Sequence, residues 1–215
     1  KAQGLTRSQH LRKRRHLLGA LTGSISTTAY YVEGKLESGF RDTFIAGMRK
    51  LLFEDISVES DDTESWGWVN IHDPFDTDLR VDNVHWDAYF LFGLRQDVLR
   101  VPAALFKLYL KQRFDAYKAE FGKDRLTKSE KDNMKDLLER ELRRKTLSSI
   151  KVHDVAWNLD RGELWLFATN KAVREQFEER FDRSFGLNLI PRNAYSLLER
   201  RGLDDAALAE AARLE

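Results

Sequence analysis

The side chains best placed to do chemistry in this sequence are amines. Lys128, Lys131 and Lys135 recur three and four residues apart within "LTKSEKDNMKDLLERELRRK", and Arg143, Arg144 and Lys145 close that run. Upstream, Lys107, Lys111 and Lys118 fall at offsets of four and seven, again one face of a helix. Rows of this kind neutralise phosphates as point charges and read no base edges. Lys and Glu also fill ordinary exposed helix faces, because both are soluble and helix-forming. Asp115, Glu120, Asp132, Asp136, Glu139 and Glu141 dilute the positive field here. Spacing alone leaves both readings open.

Other chemistries find less support. The pairs His72-Asp73 and His153-Asp154 have the composition of a metal-dependent hydrolase. His153, however, lies in an alternating strand pattern that sends Asp154 to the opposite face. Asp73, Asp76, Asp78 and Asp82 offer oxygens to a hard cation, which needs several carboxylates. Their spacing matches no EF-hand loop, and Pro74 interrupts it. No Gly-x-Ser-x-Gly, Walker loop or Gly-x-Gly-x-x-Gly is present. With no cysteine there is no disulfide, thiolate metal site or Cys nucleophile. The expectation is a protein with no catalytic residue, no metal and no cofactor. A metal-dependent exonuclease using Asp73, Asp76 or Asp78 is the first alternative, and an interaction module without DNA affinity the second.

The elements that must carry these side chains read as follows. "SISTTAYYV" (Ser24–Val32) is β-branched and aromatic, a strand ended by Gly34. Leu36, Phe40, Phe44, Met48 and Leu51 or Leu52 keep helical spacing. A solvated acidic loop follows, with a short strand at Ile56–Val58, then a strand at Trp66–Ile71 and a loop over "HDPFDTD". Trp86–Gln96 is apolar on both faces and reads as a central, doubly covered strand. Pro102 suits a helix start, and Phe106, Leu110, Phe114, Tyr117 and Phe121 mark that helix until Gly122. Thr127-x-x-Glu130 is a capping box for a second helix bearing Met134, Leu138 and Leu142. These two helices form a hairpin. "VHDVAWNL" and "ELWLFAT" are strands joined by Asp160-Arg161-Gly162. Asn170 caps a helix striped by Val173, Phe177, Phe181 and Phe185. A last strand "LNLI" ends at Pro191, and helices follow at Ala194–Arg200 and Asp204–Leu214.

The fold class expected is α+β: two small sheet-plus-helix halves, β-α-β-β and β-β-α-β, flanking a protruding basic helical hairpin. The boundaries are a flexible basic arm at 1–18, an N-terminal half at 19–101, the hairpin at 102–147 and a C-terminal half with terminal helices at 148–215. Hydrophobic content of 42% and 215 residues allow a substantial core. Net charge is only +1, but it is unevenly placed. Residues 54–82 hold ten acids against Arg80, whereas 95–151 hold sixteen Lys plus Arg against nine Asp plus Glu. No apolar run reaches the roughly 18–20 residues that span a bilayer, and no signal-like apolar segment follows the basic arm. The expected compartment is the cytoplasm, with no membrane partner.

The order of these segments resembles the recombination-associated protein RdgC family. The likeness is carried by Pro102 and its helix, then "LTKSEKDNMKDLLERELRRK", then "VAWNLDRGELWLFATN", then "FGLNLIPRNAYSLL". Lys128-x-Glu130-Lys131 followed by Met134-Lys135-Asp136 is its most distinctive part. Upstream, "LTGSISTTAYYVEG", the "GWV" at Gly67–Val69 and the strand around Phe90–Leu94 agree, so the likeness runs from Leu21 to Leu198. It implies a non-enzymatic, nucleoid-associated homodimer that surrounds double-stranded DNA with little sequence preference and restrains RecA-type strand exchange. It implies phosphate contacts for Lys107, Lys111, Lys118, Lys128, Lys131, Lys135, Arg143, Arg144 and Lys145. Longer members close one side of their ring with a further C-terminal region, so an open or differently closed dimer is expected here. The basic arm reads either as a DNA-binding tail or as a leader with no role.

Overall fold

The computed structural model describes residues 26–57 and 59–202. The basic arm 1–18, the helix Asp204–Leu214, the start of the first expected strand and Val58 lie outside the described residues. The chain runs β1 (Thr28–Glu33), α1 (Phe40–Arg49), β2 (Glu64–Val69), α2 (Val81–Val84), β3 (His85–Trp86) and β4 (Tyr89–Val98). It continues with α3 (Ala103–Phe121), α4 (Lys128–Lys145), β5 (Ser149–Asn158), β6 (Glu163–Leu166), α5 (Lys171–Phe185), β7 (Asn188–Pro191) and α6 (Ala194–Arg200). This is an α+β protein with a helical hairpin at its middle.

The strands share one seven-stranded sheet in the order β2-β4-β5-β6-β1-β7, with β3 paired to β4. Tyr30 of β1 faces Leu164 of β6 on one side and Pro191 of β7 on the other, both antiparallel. The first strand is therefore seated among the last ones, and the two expected sheet-plus-helix groups build on a common sheet. Tyr30 and Tyr31, which point to opposite faces, are both buried, so both faces of β1 are covered there. By compactness the chain divides into two units. Among the described residues, one takes 26–53, Gly67–Arg95 and 152–202; the other takes 54–57, 59–66 and Gln96–Lys151.

The core of the first unit is aromatic. Phe44 of α1 stacks on Trp157 at 5.4 Å, Trp68 meets Phe92 edge-on at 5.3 Å, and Phe181 lies 4.7 Å from Phe185. Offset and edge-on contacts at these separations suit ring quadrupoles. The expected stripe Val173, Phe177, Phe181 and Phe185 is buried on α5. Asn170 caps that helix by accepting from Ala172 N at 2.9 Å, and Gly186 ends it at φ 61°. Trp68 Nε1 donates to Ser184 Oγ at 2.8 Å, so one buried indole N–H is satisfied. A side chain at Gly47 of α1 would collide with the Ser184 carbonyl of α5, so glycine sets how closely these helices approach. Burial, then the hydrogen bond to Glu178, raises the Tyr30 phenol well above its ordinary range.

Local differences from the expected elements have physical causes. Trp86–Gln96 is not one strand. Asp87 takes a left-handed conformation at φ 54°, and His85-Trp86 folds back on Tyr89-Phe90. Asp tolerates that region through local hydrogen bonding. The remainder, β4, does lie between β2 and β5, with Phe90, Phe92 and Leu94 fully buried. Helix α1 starts only at Phe40, after Gly39 at φ 81°, and Ile56 and Ser57 belong to no strand.

Candidate nucleic-acid interface

The second unit holds all nine residues expected to meet phosphate. Helix α3 starts after Pro102, whose missing N–H costs nothing there, and ends at Gly122 with φ 59°. Not one of its 19 residues is buried. Phe106, Leu110, Phe114 and Tyr117 are its half-buried apolar side chains; Phe121, expected to end that stripe, is 54% exposed. Helix α4 opens with the expected capping box. Glu130 N donates to Thr127 Oγ1 at 3.3 Å, and the Glu130 carboxylate accepts from Thr127 N at 2.8 Å. Two orphan amides are thereby satisfied.

The helices run antiparallel, and polar contacts fix their register. Arg113 pairs with Glu141 towards one end, while Lys123 and Tyr117 reach Glu130 at the other. The Lys123 ammonium, followed by the amide and hydroxyl of Thr127, pulls the Glu130 carboxyl down to about 2. Lys145, first among its partners, also lowers Glu141.

The expected phosphate-facing residues separate into three groups. Lys107, Lys111, Lys118, Lys128 and Lys131 form no ion pair among the described residues, and all but the half-buried Lys118 are exposed. Lys135, Arg144 and Lys145 are exposed but engaged, with Asp132 at 3.0 Å, Glu59 at 2.9 Å and Glu141 at 2.6 Å. Exposed pairs of this kind are worth little and exchange easily. Arg143 differs from both groups. It is 8% exposed, and its Nη2 donates to the carbonyl oxygens of Ser60 at 2.8 Å and Asp62 at 2.6 Å. A guanidinium's fork suits two acceptors at once, and this one fastens the acidic loop to α4. Its Nη2 is thereby taken up by backbone.

That fastening leaves a cleft of about 680 Å³ lined by Glu59, Ser60 and Asp61 of the loop and by Asp136, Glu139, Arg140, Arg143 and Arg144 of α4. Arg140 was not among the expected residues. It is exposed and forms no ion pair among the described residues. Its spacing to Arg143 and Arg144, three and four, is the signal that could have found it.

In the first unit the aspartates of "HDPFDTD" act as turn caps. Asp73 Oδ1 accepts from Phe75 N at 3.0 Å, Asp76 Oδ1 from Asp78 N at 2.8 Å, and Asp76 Oδ2 from Asn70 Nδ2 at 3.0 Å. Asp78 and Asp82 pair with Arg80. Among the described residues no three His, Asp or Glu gather where they could hold a metal ion, and no helix is long and apolar enough to cross a membrane. No protein-family model matches the chain, and no curated protein matches it.

Proposed function

We propose that this chain is a sequence-tolerant double-stranded DNA-binding protein of the RdgC type, which clamps or encircles the duplex as a homodimer at the nucleoid and modulates RecA-dependent recombination. The observation that carries this reading is the set of hairpin lysines that form no ion pair among the described residues: Lys107, Lys111 and Lys118 on α3, Lys128 and Lys131 on α4. Amines that are exposed and not already neutralised are the ones that release counterions from DNA. The antiparallel hairpin places both rows on one supersecondary unit. Lys contacts to phosphate carry no sequence information, so sequence tolerance follows where these amines meet the backbone of the duplex. The collinear likeness to RdgC supports the same reading. Lys135, Arg144 and Lys145 are auxiliary contacts, available once a phosphate competes with their carboxylates.

The test is a charge-reversed variant carrying Glu at 107, 111, 128 and 131. It should keep the wild-type circular dichroism spectrum and lose at least about tenfold in duplex affinity, since each phosphate contact contributes to log K. Unchanged affinity in the folded variant would remove the hairpin from the DNA surface.

A further inference from the structure

We propose that the outer face of the β3–β4 hairpin is a docking site for a basic segment of a partner protein, whose lysine or arginine side chains lie on the rings of Trp86 and Tyr89. Strand alternation decides which side chains this hairpin turns outward. His85 pairs with Phe90 across the two strands, and Trp86 pairs with Tyr89. The first pair faces the core. Phe90 is fully buried, 6.2 Å from Phe44 between ring centroids, and the His85 ring meets it edge-on at 5.4 Å. The second pair therefore faces away, with Trp86 49% and Tyr89 37% exposed. Directly opposed residues of an antiparallel pair have Cβ atoms about 4.5–5.5 Å apart, so the two rings form one surface. His72 adds a third ring, exposed and edge-on to Trp86 at 5.5 Å.

The hairpin is held from behind. Arg41 Nε donates to His85 Nε2 at 3.3 Å, and Leu159 N donates to the Ala88 carbonyl at 2.8 Å. Rings presented on a fixed backbone lose little freedom when a partner arrives. Trp and Tyr are also the commonest anchors of protein interfaces, and clustered exposed apolar surface marks such interfaces.

Charge selects the occupant. From Asn70 to Phe90 there are five aspartates and one cation, Arg80, and Arg80 is already paired with Asp78 and Asp82. Asp73 follows His72 and Asp87 follows Trp86; both are exposed and form no ion pair among the described residues. A stacking platform for nucleobases needs cations beside its rings to hold the phosphates. Carboxylates in that place repel phosphates and attract ammonium and guanidinium groups, which the faces of the rings bind as well. Rings and carboxylates thus favour the same side chains. The same loop already shows the contact, since the Arg95 guanidinium lies 4.9 Å from the centroid of the Phe75 ring. Among the described residues the acids do not gather around one point as a metal ion requires. Their spread along the loop suits successive charges of a basic segment. All these residues lie in the first unit, apart from the lysine-bearing helices, so the inference goes beyond the DNA reading and does not depend on it.

Fluorescence anisotropy of a labelled peptide of alternating arginine and glycine, titrated with the full chain, tests the site. The peptide should bind the wild type, and its glutamate–glycine counterpart should not. Trp86→Ala should weaken binding by roughly tenfold, while Trp86→Phe should lose no more than a few-fold, because a ring remains. Asp73→Asn combined with Asp87→Asn should weaken binding several-fold and reduce its salt dependence. These positions are exposed, so each variant should keep the wild-type circular dichroism spectrum and the wild-type duplex affinity. Unchanged peptide binding by Trp86→Ala would reduce the effect to general acidity and overturn the proposal, as would no binding at low salt. Tighter binding of a single-stranded oligonucleotide than of the peptide, lost in Trp86→Ala, would assign the rings to bases and overturn it too. A wild-type dimer that dissociates on Trp86→Ala in sedimentation velocity would give this face to a second copy instead.

Discussion

Arg143 Nη2 stands 2.6 Å from the carbonyl oxygen of Asp62 and 2.8 Å from that of Ser60. Two neighbours on α4, one residue apart, thus have opposite fates. Arg143 is buried and spent on backbone, while Arg144 is exposed and holds Glu59 through an exchangeable ion pair.

Arg143→Ala should destabilise the protein by about 1.5–3 kcal/mol, because it removes a charged donor from two carbonyls. Arg144→Ala should cost under about 1 kcal/mol. Urea unfolding of the two variants checks this, and equal midpoints would show that Arg143 does not anchor the loop.

Glu59→Gln frees Arg144 to meet a phosphate. On the proposed reading, duplex affinity should rise a few-fold, and the log–log salt slope should steepen by about 0.9 for each added contact. An unchanged affinity and slope would mean that the C-terminal turn of α4 does not reach DNA.

Glu130 supplies a pH signature. Its folded value, about 2, lies below the ordinary 4.5. A carboxyl depressed on folding contributes stability that is complete above its unfolded value and lost as pH falls through the folded one. Stability should therefore decline between about pH 4.5 and 2, and Glu130→Gln should flatten that part of the profile. Chemical denaturation at a series of pH values reads it, and a decline of equal size in the variant would assign it to other carboxyls.

Much of the hairpin was legible in the sequence because its signals are local. Pro102 and Gly122 bracket α3 through their backbone limits, and Thr127 with Glu130 announces α4 through two short-range hydrogen bonds. The buried stripe of α5 was legible for the same reason, since a periodic pattern names its own inward face. Strand neighbours were not. Period two tells which face of β1 is apolar but not that β6 and β7 are its partners, which lie more than a hundred residues away. The Asp87 turn lacks the Asn-Gly or Asp-Gly signal, so Trp86–Gln96 reads as continuous. Arg143 resembles its neighbours in sequence and differs only through carbonyls 81 and 83 positions away.

The central claim is that the hairpin lysines with no ion pair among the described residues hold duplex phosphates, and its most direct test is fluorescence anisotropy of a labelled random duplex across a salt series. Five lysines at about 0.9 each predict a log–log slope of roughly −4 to −5 per protomer, the same for unrelated sequences. Such a slope, flattened by the charge-reversed variant, is the result this account requires. A slope near zero, or no binding at low salt, would contradict it and make the lysine rows an ordinary solvated helix face.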